Sequence, residues 1–90
     1  MICRILEDIA VQLDELQTGL ASRKTDHMRR PARRAALAAR QIGLTEVAQS
    51  AQHIENCLTQ TDVVALEAVM ARLERAFDLA VNEVWNLREI

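Results

Sequence analysis

The 90-residue chain has no tyrosine, one tryptophan, one phenylalanine, two glycines and a single proline. So little turn chemistry excludes an all-β fold, which needs Gly, Pro or Asn-Gly signals about every 8–12 residues. Cys3 and Cys57 are too few to make a disulfide framework, and neither a C-x-x-C pair nor a Cys/His metal spacing is present. The chain also lacks a Gly-rich phosphate loop, an H-E-x-x-H motif and a Ser/His/Asp set, so neither a metal, a cofactor nor an ordinary enzyme is expected. No apolar run reaches the roughly 18 residues of a membrane span. Glu7, Asp8 and Asp14 interrupt the segment that a secretory leader would need. The expectation is a cytoplasmic protein with reduced thiols and no membrane association.

Hydrophobic residues make up 50% of the chain and charged residues 27%, a globular composition rich in Ala, Leu and Arg. The net charge of −2 conceals a polarised molecule. Between Ala21 and Ile42 lie Arg23, Lys24, Arg29, Arg30, Arg33, Arg34 and Arg40, opposed only by Asp26. That window carries +6, and the four bases and twelve acids elsewhere leave −8. Such a window predicts an acidic partner or surface.

Apolar periodicity predicts four helices. Ile2, Ile5, Leu6, Ile9, Leu13, Leu16 and Leu20 recur at spacings of three and four, with Glu7, Asp8, Asp14 and Glu15 facing away. Gly19 and the polar run Ser22–Asp26 mark the end of this first helix. Pro31 suits the first turn of a second helix, which begins near Met28 to Arg30 and ends at Ile42, with Gly43 as its left-handed cap. Its stripe of Ala32, Ala35, Ala36 and Ala39 lets a neighbouring backbone come close. Thr45 is the expected N-cap of a third helix, with Val47, Ala51, Ile54 and Leu58 inward. Thr61-Asp62 starts a fourth, whose stripe is Leu66, Val69, Met70, Leu73, Phe77, Ala80, Val84 and Leu87. The predicted architecture is one domain over residues 1–90, an all-α, antiparallel up-down-up-down four-helix bundle with helices at about 2–21, 30–42, 46–59 and 62–88. That topology would bring Trp85 and Ile90 near Ile2 and Ile5.

Few side chains offer chemistry. His27 lies in or beside the loop before Pro31, and His53 lies on the third helix beside the apolar stripe. Both are weak catalytic candidates, and an isolated helix-edge histidine is usually a surface residue. Free cysteines usually act as small hydrophobes. The strong feature is the second helix, where Arg30, Arg33, Arg34 and Arg40, with Leu37 among them, point away from the alanine stripe as a candidate partner-binding face. Arginine stems covering apolar surface would give the same face without a partner.

The run Gly43-Leu44-Thr45-Glu46-Val47-Ala48-Gln49-Ser50-Ala51-Gln52-His53-Ile54-Glu55 resembles a histidine-containing phosphotransfer (Hpt) domain of bacterial phosphorelays. Ile42-Gly43, Leu44, Val47, Ala51 and Ile54-Glu55 meet the family's spacing, and a long final helix follows. Ten residues before Gly43, where the family carries its phosphorylated histidine, this chain has Arg33. The family's H-x-L-K-G reads here Arg33-Arg34-Ala35-Ala36-Leu37. A guanidinium stays protonated and cannot accept a phosphoryl group. The resemblance implies a degenerate Hpt module that docks to a response-regulator receiver domain or histidine kinase without itself accepting phosphate, Arg33 entering the receiver's carboxylate cluster. Three other readings stay open. One is active phosphotransfer through an atypical histidine. Another is a homodimeric structural or interaction protein using Val63, Val64, Met70, Val81, Trp85 and Ile90 as apolar surface. The third, nucleic-acid binding, is disfavoured by the −8 outside the basic window and by the lack of aromatics for stacking.

Overall fold

The computed structural model describes residues 2–60 and 62–89, with side chains for 4–60 and 62–84. Four helices follow one another: α1 (Ile2–Ala21), α2 (Arg29–Gln41), α3 (Thr45–Gln60) and α4 (Val63–Glu89), with a 3-10 turn at Thr25–His27 between α1 and α2. Each helix packs on the next, and a thinner α1–α4 seam closes the four-helix bundle. Cross-links between α2 and α3 run in opposite senses along the two chains, Arg33 to Glu55 and Arg40 to Gln52, as in antiparallel neighbours. Across the closing seam, Gln17 Nε2 donates to Glu74 Oε1 at 2.7 Å. The 27 residues of α4, about 40 Å of helix, nearly span the 44 Å long axis.

The helices bury the stripes their spacing selects. Ile9, Leu13 and Leu16 of α1 meet Val47, Ile54 and Leu58 of α3 and Leu66, Met70 and Leu73 of α4 in one core, and Leu6 is buried as well. The four stripe alanines of α2 are buried, and Ala48 and Ala51 of α3 face the same interior. Small residues on both partners let the backbones approach. The α2–α3 seam therefore has the most close backbone approaches of any, although these are the two shortest helices.

The helix ends explain themselves locally. At the end of α2, the Leu44 N–H bonds to the Ala39 carbonyl at 2.9 Å and the Gly43 N–H to that of Arg40 at 3.3 Å. This is a Schellman motif with Gly43 in the left-handed region at φ 75°. The end of α1 repeats it: Lys24 N–H to Gly19 carbonyl at 2.9 Å, Arg23 N–H to Leu20 carbonyl at 3.1 Å. Here the left-handed residue is Arg23, at φ 57°. Asp62 caps α4, its Oδ1 accepting the Ala65 N–H at 3.1 Å.

Several expectations are corrected. Gly19 is no stop signal; it lies inside α1 and is buried, and a Cβ there would come within 2.7 Å of Met28 Cγ. Its missing side chain makes room for Met28, a wholly buried core residue. Thr45 is the first residue inside α3 and not its cap, because the Leu44 carbonyl, placed by the α2 terminus, accepts the Ala48 N–H at 2.9 Å. Met70 is buried at 3% exposure and offers no surface to a second copy, since its side chain fills the core beside Leu66 and Leu73. Val63 and Val64 are exposed and Val81 is half-buried. The expected proximity of Trp85 and Ile90 to Ile2 lies outside the described side chains, as do Cys3 and Leu87. No helix among the described residues is long and apolar enough to cross a membrane.

Candidate functional site

Alternation along α2 divides it cleanly. Pro31, Ala32, Ala35, Ala36 and Ala39 are buried, whereas Arg29, Arg30, Arg33, Arg34, Leu37 and Arg40 are exposed. At 100° per residue the exposed set covers an arc of about 140°, with Leu37 near its centre. Leu37 is 52% exposed, an apolar spot ringed by guanidinium groups. The partner-binding residues expected from the sequence therefore stand together on one surface.

A groove of about 570 Å³ runs between this face and α3, bordered by Arg29, Arg30, Arg33, Arg34 and Leu37 on one side and Glu55, Asn56 and Thr59 on the other. Glu55 is its only carboxylate. Glu55 Oε1 lies 3.5 Å from Arg33 Nε, and Glu55 Oε2 accepts from Gln52 Nε2 at 3.3 Å. Gln52 Oε1 in turn accepts from Arg40 Nη2 at 3.0 Å. This relay ties α2 to α3 and sets the direction of two arginines. The Arg33 side chain is still 76% exposed, while that of Glu55 is only 22% exposed. Solvent around the Arg33 end screens the pair and keeps its contribution small, and Gln52 still donates to Glu55 when Arg33 turns to another carboxylate. The groove is a cation-rich surface with one acid among its described lining residues, suited to an acidic partner.

The two histidines stand apart from it. His27 is exposed in the 3-10 turn. His53 is exposed on α3 and borders a separate cleft with Arg40 and Arg72. No acid pairs with either among the described residues. Cys57, half-buried and reduced, borders a cavity of about 250 Å³ with Leu20, Leu58 and Leu66. No group of three His, Cys, Asp or Glu side chains among the described residues could hold a metal ion. Sequence reasoning missed the Glu55–Gln52–Arg40 relay and the cleft beside His53. The relay joins residues 12 apart in sequence, and only the tight Gly43 turn brings them face to face.

Compared with known proteins, the chain matches no family model, no curated protein and no solved structure.

Proposed function

We propose that this protein is a small Hpt-like docking module of a two-component phosphorelay. Its basic α2 face engages the acidic phosphoacceptor pocket of a receiver domain, and the module does not itself accept phosphate. The observation that carries the reading is the position of Arg33. It stands exposed on the basic face, one turn from Leu37, at the place where the family's histidine falls in the sequence resemblance. A receiver's carboxylate cluster would meet four guanidinium groups around an apolar contact. Charge complementarity of that kind raises the encounter rate and fixes orientation. The four-helix architecture and the glycine turn after α2 are compatible with the reading.

The test is incubation of the full chain with a panel of phosphorylated receiver domains, reading both complex formation and phosphohistidine. Binding without label supports a docking module. Label lost in His27→Ala or in His53→Ala makes the protein a phosphotransfer enzyme working through that histidine. Neither binding nor label removes the phosphorelay reading.

A further inference from the structure

We propose that the cleft between the α2–α3 turn and the middle of α4 binds a small, multiply charged phosphate-bearing anion, of which pyrophosphate is the simplest example. The cleft measures about 570 Å³ and takes Arg40 from α2, Thr45, Gln49, Gln52 and His53 from α3, and Arg72 from α4. Its lining contains no carboxylate. That sets it apart from two other basic clefts among the described residues. The arginine groove has Glu55 within it, and the neighbouring cleft that also borders Arg72 and Arg75 contains Glu46 and Glu83.

Both cleft guanidinium groups lack an acid. Arg40 is bonded to the neutral amide of Gln52, and Arg72 has no ion-pair partner among the described residues. Two cations on different helices, with no carboxylate among the described residues lining the cleft between them, raise the local potential and favour an anion that reaches both. Guanidinium donors are planar forks that fit phosphate oxygens two at a time. Gln49, Thr45 and the imidazole of His53 add further hydrogen-bond donors around them.

The same lining defines what the ligand lacks. Among the described residues, Ala48 is its largest purely apolar side chain and no aromatic ring borders it, so a nucleobase would find no stacking partner there. The volume falls within the roughly 300–1,000 Å³ of small-molecule sites, and a single orthophosphate would leave most of it to water. An anion with two linked phosphate groups spans it better. This inference does not rest on receiver docking. It shares Arg40 with the basic face, so its test is built on Arg72 and His53.

The experiment is a titration of the isotopically labelled full chain with sodium pyrophosphate, free of divalent cations and at near-physiological salt, followed by amide chemical shifts. Saturating shifts are expected at Gly43, Thr45, Gln49 and His53. Arg72→Gln should weaken binding at least fivefold and His53→Gln about threefold, with the helical spectrum and Tm unchanged because both residues are exposed. Arg30→Gln removes the same charge from the outer face of α2 and should change affinity less than twofold. Orthophosphate should bind at least threefold more weakly than pyrophosphate, and ADP no more tightly. Absence of saturation, shifts that follow Arg29–Arg34 instead, or equal losses in Arg72→Gln and Arg30→Gln would overturn the site. ADP binding tenfold tighter than pyrophosphate would overturn the assigned ligand class.

Discussion

Replacing Arg23 by glycine should stabilise the protein, and replacing Gly43 by alanine should destabilise it by a similar amount. The two positions are equivalent: each supplies the left-handed residue of a Schellman motif, at φ 57° and 75°. A residue with a Cβ costs about 1–2 kcal/mol in that conformation. Glycine avoids the cost but gives the unfolded chain more freedom, which returns about 0.4–1 kcal/mol. The difference leaves about 0.5–1 kcal/mol in favour of glycine at either site. Arg23 is exposed, so little packing is lost with its side chain. A Cβ on Gly43 would have nothing within 4 Å, so its cost is conformational and not steric. For a domain of this size about 1 kcal/mol moves Tm by roughly 4–8 °C. Arg23→Gly should therefore melt about 2–8 °C higher and Gly43→Ala about 2–8 °C lower by circular dichroism. Lying at opposite ends of α2, about 20 Å apart, the two changes should add. Shifts of the same sign, or a neutral Gly43→Ala, would refute the reasoning from backbone conformation.

Other substitutions probe packing. Gly19→Ala improves helix propensity but forces Met28 from a site where it is wholly buried; overpacking should dominate and lower stability by about 1 kcal/mol net. Adding Met28→Ala to that variant should cost less than the two single changes summed, because the new methyl group occupies space that Met28 vacates, as a double-mutant cycle in urea would measure. Ser50 is fully buried and its Oγ has no hydrogen-bond partner; Ser50→Ala should raise stability by about 1 kcal/mol in the same denaturation assay. Asp62→Ala removes the cap bond to Ala65 and should cost about 1 kcal/mol, with the first turn of α4 losing amide-exchange protection first.

Much of this architecture is legible in the sequence. All four helices lie within a residue of their expected limits, because apolar spacing, Pro31, Gly43 and Asp62 are local signals and the bundle does not override them. The stripes of α1 and α2 go where their period sends them. Features that depend on pairs of distant residues are less legible. Gly19 resembles a helix stop in sequence, and only the packing of Met28 against it reveals a space-making role. An arginine at a left-handed position carries no sequence signature, since the residue type argues against it. Nothing in the sequence selects between Asp26 and Glu55 as the partner of Arg33, and it is the antiparallel packing of α3 that brings Glu55 alongside. Ser50 looks like an ordinary polar residue beside the Ala51 stripe, yet the packing of α3 within the bundle buries it. Within the candidate site, the basic face follows from helical period alone, whereas the relay through Gln52 requires the tertiary structure.

We propose above that Arg33 and its neighbours form a docking surface for a receiver's carboxylates. Its most direct test is the affinity of the full chain for unphosphorylated receiver domains, measured from about 50 to 300 mM salt, a range over which screening changes strongly. The account predicts saturable binding that weakens steadily with salt, and a loss of at least about tenfold, or 1.4 kcal/mol, in the Arg33→Ala/Arg34→Ala variant. Binding that is indifferent to both salt and that variant, or no binding to any receiver at the lowest salt, would contradict it.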